Sequence, residues 1–230
     1  MSIRNRGKDS VMNSEEIIWT YLRNEGLTEY ATAGVMGNLY AESGLQSNIL
    51  QINYQSSLGM SSEQYTAAVD NGSYNNFVSD AAGYGLAQWT FWSRKQDLLT
   101  KAKGMKVSVG DLIMQLEFLC YELQEYGLWN KLNACQSVRD ASNIILFEYE
   151  KPRDMGVSVQ NARANWGQGY YNKYAGKPIT QEPVTVHPPA VNDKYCVIAF
   201  RKCNDLNQAK ELSNILKTYA FEGIVTQVVG

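Results

Sequence analysis

Apolar side chains recur at helical spacing along most of positions 14–174, the pattern that buries one face of an α-helix. The pattern begins at Ser14, a candidate N-cap, and continues with Ile17, Ile18, Tyr21 and Leu22. Further helices are predicted over residues 28–40, 62–69, 93–103, 109–125, 138–150 and 157–174. These segments predict a first domain built almost entirely of helices and loops.

The second predicted helix leads into Ala41, Glu42, Ser43 and Gly44, and a glycine at that place typically ends a helix. Residues 46–83 then turn to Asn, Ser, Gly and Tyr, which predicts long surface loops around the short helix. Loops of this length in a compact domain usually shape a functional site.

The C-terminal quarter has a different pattern. Residues 177–193 carry four of the five prolines and no amphipathic period, which predicts an extended linker. A strand, an amphipathic helix and a second strand are then predicted over residues 195–200, 207–219 and 223–229. The expected fold class is therefore α+β. It comprises a mainly α-helical catalytic domain over residues 1–176, a linker over 177–193 and a small β-α-β module over 194–230.

Composition narrows the chemistry. A net charge of −2 argues against nucleic acid as a partner, and the lack of a long apolar run predicts neither a secretory signal nor membrane insertion. The four cysteines show no C-x-x-C spacing and the single histidine, His187, lies in the proline-rich stretch, so no metal and no other cofactor is expected. Chemistry in the first domain must then use carboxylates, and the 15 tyrosines and 5 tryptophans weakly favour a carbohydrate ligand.

Glu42 is the candidate acid. Hydrolysis of a glycosidic bond needs a carboxyl that stays protonated near neutral pH, which requires burial in a partly apolar setting. Glu42 ends an apolar helix, follows Leu39, Tyr40 and Ala41, and faces the long loop region, so its side chain is expected to be half-buried in a cleft wall. The alternative is a glutamate that merely lies exposed at a helix end.

A second candidate segment runs through residues 83–92, where glycine and aromatic residues are concentrated. Gly83 and Gly85 are expected to adopt positive φ and to allow close approach of a ligand, and Gln88 offers a donor and an acceptor suited to an N-acetyl group. Trp89 is expected to offer a stacking face, the alternative being a tight glycine turn packed by core aromatics.

Three motifs stand in order along the chain: G-N-L-Y-A-E-S-G-L at 37–45, Y-G-L-A-Q-W-T at 84–90 and F-E-Y-E-K-P at 147–152. Together they resemble the phage tail-tip lysozyme family, which belongs to the wider lysozyme and lytic transglycosylase fold. The resemblance covers about residues 14–176. The resemblance implies that Glu42 is the catalytic acid and that the G-x-x-Q-W motif, residues 85–89, lines the saccharide groove. Residues expected to bind substrate are Ser43, Tyr84, Gly85, Gln88, Trp89 and Glu150.

The second catalytic carboxylate is left open by the sequence. Asp80 precedes the glycine turn and is expected to flank the groove, where it would activate water or stabilise an oxocarbenium-like state. Glu150 matches the glutamate of the family's F-x-x-E-x-P motif, but the favoured interpretation is that it pairs with Arg153 or Arg163 in a structural role. Without a second carboxylate, the N-acetyl group assists or an intramolecular attack gives an anhydro product. Five other glutamates are assigned to solvated helix faces: Glu15, Glu16, Glu117, Glu122 and Glu125.

The C-terminal module resembles one half of a SPOR-type peptidoglycan-binding repeat, whose full fold has two β-α-β halves. Because only one half is present, two copies of the chain are expected to pair their modules, giving a dimer or larger assembly.

The resemblances imply a peptidoglycan hydrolase, an endolysin or tail-associated lysin, that cleaves β-1,4 bonds between N-acetylmuramic acid and N-acetylglucosamine. The alternatives are a lytic transglycosylase, a glucosaminidase, or a non-catalytic wall-binding or tail protein. The chain is expected to be made in the cytoplasm without a signal peptide and to act on the wall after release or as part of a phage particle.

Overall fold

A computed structural model describes residues 13–178, and this part of the chain is mainly helical. Its α-helices are α1 (Ser14–Asn24), α2 (Glu29–Ser43), α3 (Ile52–Leu58), α4 (Ser62–Asp70), α5 (Trp92–Met105), α6 (Leu112–Glu125), α7 (Leu128–Asn133), α8 (Val138–Ile144) and α9 (Val157–Tyr174). A π-helical turn, Ile145–Glu150, follows α8 directly.

Helix α2 lies at the centre, and it ends at the glycine that the sequence predicts. The Thr28 side chain accepts a hydrogen bond from the Ala31 N–H at its start, and Gly44 ends it with φ near 60°. The helix continues to Ser43, beyond the predicted end at residue 40, so Glu42 lies in its last turn. In α1, the cap is Asn13 and Ser14 is the first helical residue.

Two glycines let α2 pack closely against the helices around it. A Cβ on Gly34 would lie 2.6 Å from the Ala141 Cβ of α8, and one on Gly37 would lie 2.6 Å from the Gly167 nitrogen of α9. Such distances are far below van der Waals contact, so only glycine fits at either place. The close crossing brings the C-terminal turn of α2, with Glu42, against α9.

The structure also departs from the predicted elements. Helices α3 and α7 were not predicted, and the expected helix 138–150 is α-helical only as far as Ile144. In the π-helical turn the Lys151 N–H donates to the Leu146 carbonyl five residues back, at 3.0 Å. Lys151 then adopts φ of 49° and the chain leaves the helix before Pro152.

Residues 1–12 and 179–230 lie outside the described residues. Most of the predicted linker and the whole predicted β-α-β module, on which the expected self-association depends, fall in the second of these ranges. Between Asn13 and Pro178, β-type pairing is confined to the isolated bridges Leu50 with Tyr84 and Tyr84 with Trp89. Within the same range, no helix combines the length and the apolar character needed to cross a membrane. No cluster of His, Cys, Asp and Glu with metal-binding geometry occurs among these residues either.

Candidate active site

Glu42 lies where α2 and α9 cross, and its carboxylate is paired with a guanidinium. The Glu42 Oε1 accepts a hydrogen bond from Arg163 Nη2 at 2.5 Å. The Glu42 side chain keeps 20% of its surface accessible, whereas that of Arg163 keeps 8%. The other arm of the guanidinium donates to Asn38 Oδ1 at 3.1 Å, so two side chains one turn apart on α2 hold it. Asn38 is itself fixed by donating to the carbonyls of Gly34 and Ser142.

A second carboxyl lies near this pair. Glu150 ends the π-helical turn, and its Oε1 is buried without a hydrogen-bond partner among residues 13–178. Burial, and after it the negative charge of Glu42, raises the pKa of the Glu150 carboxyl well above its usual range, while Arg94 and Arg163 oppose the effect. The Glu150 side chain forms no ion pair with Arg153 or Arg163 in this range, contrary to the expected buttress. The raised pKa favours the neutral form of this carboxyl over the carboxylate.

Residues 83–90 form a tight turn against the chain that follows Glu42. Tyr84 and Trp89 exchange two backbone hydrogen bonds, and the Gly85 N–H donates to the Ile49 carbonyl at 2.9 Å. Gly85 has the expected positive φ, 75°, but Gly83 does not, and Gln88 adopts φ of 46° instead. The Gln88 amide donates to the Gly85 and Ile49 carbonyls, which locks the turn.

Trp89 does not offer the expected stacking face. Its side chain has no accessible surface, packs against Phe118, and donates its indole N–H to Glu122 Oε2 at 2.8 Å. Tyr84 is equally buried, and its hydroxyl lies 2.6 Å from Thr66 Oγ1. Both aromatic rings therefore belong to the core that supports the turn, which is the alternative interpretation of this segment.

Two other residues expected to bind substrate face the protein. The Ser43 hydroxyl is buried and donates to the Leu39 carbonyl of its own helix at 2.9 Å. Gly85 allows close approach of the Gln115 side chain, since a Cβ there would lie 2.6 Å from Gln115 Oε1. In the G-x-x-Q-W motif, Gln88 is half-buried and the other four residues are buried. Gln88 lies in the same turn as the buried aromatic residues.

Asp80 is an interior ion-pair partner and does not flank a groove as expected. Its carboxylate accepts from Lys95 Nζ at 2.5 Å, from the hydroxyls of Tyr65 and Tyr74, and from the Ala82 N–H. The Asp80 side chain is 6% accessible and that of Lys95 is fully buried. Burial lowers the pKa of Lys95, and the charge and hydrogen bond of Asp80 oppose that shift. With its oxygens bonded to four donors, Asp80 is not available to activate water.

Glu122 was assigned to a solvated helix face, and this was wrong. Its buried carboxylate accepts from Arg94 Nε at 2.6 Å and Nη2 at 2.8 Å, from Trp89 and from the Tyr149 hydroxyl at 2.6 Å. Its charge also contributes to the raised pKa of Glu150. Its spacing from the apolar Phe118 and Leu119, four and three residues earlier on α6, was the sequence signal for an inward orientation.

A comparison with known protein families matches most of this chain. The model of the phage tail lysozyme family matches residues 13–174, most of the chain and nearly all of its described part. The match includes the central helix with Glu42, the turn with Gln88 and the helix with Arg163. The chain therefore belongs to the phage tail lysozyme family, and this membership implies a lysozyme-type glycoside hydrolase that lyses peptidoglycan.

Proposed function

We propose that this protein cleaves the β-1,4 bond between N-acetylmuramic acid and N-acetylglucosamine, with Glu42 as the general acid. The observation that carries the proposal is the position of Glu42. It is a partly accessible carboxylate at the end of a buried helix, held by the buried Arg163. Membership of the phage tail lysozyme family supports the same assignment.

The arrangement suits a residue that gives up a proton and must then carry a negative charge. When Glu42 protonates the leaving oxygen of a glycosidic bond, it becomes a carboxylate, which Arg163 stabilises at hydrogen-bond distance. The accessible part of the Glu42 side chain provides the path to the substrate. Because Glu42 and Arg163 form an ion pair in the resting structure, the proton must reach Glu42 before the bond breaks.

The bond that is cut and the fate of the sugar are part of the proposal. Since Asp80 is bonded to Lys95, the proposed mechanism does not use it as a second carboxylate. The positive charge that develops on the sugar is then stabilised by the N-acetyl group of the sugar, or a hydroxyl of the same sugar attacks it. The attack by the hydroxyl would give an anhydro product. The second outcome would make the protein a lytic transglycosylase, and cleavage of the alternate bond would make it a glucosaminidase.

The proposal is tested with purified cell walls and Glu42→Gln. Glutamine keeps the shape of the side chain and its contact with Arg163 but has no proton to give, so clearing should stop while the helical circular dichroism is unchanged. Glu148→Gln is the matched control, because Glu148 is an accessible glutamate paired with Lys131. Equal clearing by wild type and E42Q would exclude the catalytic role, and a wild type that clears nothing would favour a non-catalytic wall-binding protein.

Mass spectrometry of the released fragments distinguishes the three reactions. A muramidase leaves N-acetylmuramic acid at the new reducing end, and a glucosaminidase leaves N-acetylglucosamine. A lytic transglycosylase leaves an anhydro sugar, with no water added. We expect the first of these.

A further inference from the structure

Three polar side chains meet over Gly83, at the start of the tight turn. A Cβ on this glycine would lie 2.9 Å from Gln88 Oε1, 3.1 Å from Gln51 Oε1 and 3.3 Å from Thr90 Oγ1. Gln51 is held there because its Oε1 accepts from the Gly83 N–H at 3.0 Å and its backbone N–H donates to the Gly83 carbonyl at 2.8 Å. We call Gln51, Gln88 and Thr90 the amide cluster.

The amide cluster keeps hydrogen-bonding groups available to a ligand. The Gln88 Nε2 and the Gln51 Oε1 are bonded to backbone, but the other atom of each amide, Gln88 Oε1 and Gln51 Nε2, bonds to no group within residues 13–178. Both of these atoms are accessible to solvent, because neither belongs to the buried polar atoms without a partner in this range. The cluster therefore offers one acceptor and one donor, and it carries no charged side chain.

Large apolar side chains flank the amide cluster and are unusually exposed. Ile52 follows Gln51 and is 77% exposed, and Phe91 and Trp92 follow Thr90 and are 62% and 59% exposed. These are three of the four most exposed large apolar side chains among residues 13–178. The rings of Phe91 and Trp92 lie with their centroids 6.0 Å apart. Exposed apolar side chains that are concentrated around polar groups mark a binding surface.

The chemistry of this surface fits a neutral ligand that has an amide and an apolar face. An N-acetylated sugar has both, since its acetamido group carries a donor, an acceptor and a methyl group, and its ring has an apolar side. Aromatic rings suit such a side because they are flat, apolar and rigid. A phosphate or a nucleic acid would instead require a concentration of Lys and Arg, which the cluster lacks.

We propose that the amide cluster, with Ile52, Phe91 and Trp92, is a subsite for an N-acetylated sugar of the glycan strand. Gln88 accepts from the acetamido N–H, Gln51 donates to the acetamido carbonyl, and Trp92 packs against the sugar ring. Trp92 thus supplies the stacking face that the buried Trp89 does not. The inference takes its substrate class from the proposed function, but it requires no particular reaction at Glu42.

The test is saccharide binding by the full chain, measured by NMR titration. The two ligands are chitotetraose, a β-1,4 oligomer of N-acetylglucosamine, and cellotetraose, the corresponding oligomer of glucose, which has no acetamido groups. Every protein in the test carries Glu42→Gln, so that binding is measured without cleavage. Chitotetraose should bind about tenfold more tightly, because glucose has no partner for the acceptor and donor of the amide cluster.

Two substitutions in this background address the two halves of the subsite. Trp92→Ala removes the stacking ring and should weaken chitotetraose binding about tenfold. Gln51→Glu keeps the oxygen that accepts from Gly83 but removes the donor, so it should weaken chitotetraose binding about tenfold and leave cellotetraose binding unchanged. Val157→Ala is the matched control, because Val157 is 70% exposed at the start of α9, and it should bind as its parent does.

The inference is overturned if both saccharides bind equally well, if neither binds, or if either substitution leaves chitotetraose binding unchanged. Binding of neither is the result for a surface that serves a protein partner. The proposed function fails separately. If Glu42→Gln clears walls as wild type does while chitotetraose binding depends on Trp92 and Gln51, the subsite stands and Glu42 is not the acid. If Glu42→Gln stops clearing and chitotetraose is not bound, the acid stands and the subsite does not.

Discussion

Gly37 provides the sharpest test of how the site is assembled. A Cβ at this position of α2 would lie 2.6 Å from the Gly167 nitrogen and 2.9 Å from its Cα, and it would also meet the Arg163 carbonyl oxygen. All three are backbone atoms of α9, so no side-chain rotation relieves the overlap. Gly37→Ala must therefore push the two helices apart, and Arg163 moves away from Glu42 with α9.

The expected change in the free energy of unfolding of Gly37→Ala follows from two opposing effects. Overpacking against backbone costs about 3 kcal/mol, the upper part of the usual range. Replacing a glycine by alanine inside a helix returns about 1 kcal/mol. The net loss is about 2 kcal/mol, which for a domain of this size lowers Tm by roughly 4–8 °C. Wall clearing should fall as well, because the pair of Glu42 with Arg163 depends on the crossing.

Thermal unfolding followed by circular dichroism measures the effect, and Gly169→Ala is the matched control. Gly169 lies in α9, and a Cβ there meets no atom within 4 Å, so the same substitution should stabilise the protein by about 0.5–1 kcal/mol. If G37A were as stable as G169A, the argument that this crossing requires a glycine would fail.

Three further substitutions separate structural from catalytic roles. Trp89→Phe removes the donor to Glu122 and should cost about 1–2 kcal/mol of stability while KM for walls stays unchanged; a raised KM would restore Trp89 as a sugar contact. Asp80→Asn leaves the buried Lys95 without its counterion and should cost about 3–5 kcal/mol in urea unfolding, with normal activity per folded molecule. Arg163→Lys replaces a two-armed donor by a single one and should lower kcat/KM roughly tenfold, measured from initial clearing rates.

The local elements of the fold could be predicted because their signals are local. Helix α9 was predicted with the bounds that the structure has, and the cap at Gly44 was predicted from the glycine alone. Helix α3 was missed because four of its seven residues are polar and none of the seven is buried, so it shows no clear apolar period. The π-helical turn was missed because its apolar spacing resembles that of an α-helix.

The site could be predicted only in part, because its contacts join residues far apart in sequence. Glu42 was singled out from its place at the end of an apolar helix together with the family motifs around it, but its partner Arg163 lies 121 positions away. Lys95 and Glu122 are polar residues in helical patterns, where exposure is the usual outcome. They are buried because donors and acceptors from other parts of the chain bind them. These partners are too distant in sequence for a local pattern to reveal them.

The π-helical turn lets this segment hold an additional residue without changing the register of its flanks. It holds one residue more than an α-helical turn would, as the hydrogen bond from the Lys151 N–H to the Leu146 carbonyl shows. The wider turn accommodates that residue, whereas an insertion into a continuous α-helix would rotate all later side chains by about 100°. Deleting one residue, such as the exposed Phe147, would let the segment become an ordinary α-helix with its flanks in nearly the same register. This segment should therefore tolerate a change of one residue in length better than the α-helices around it.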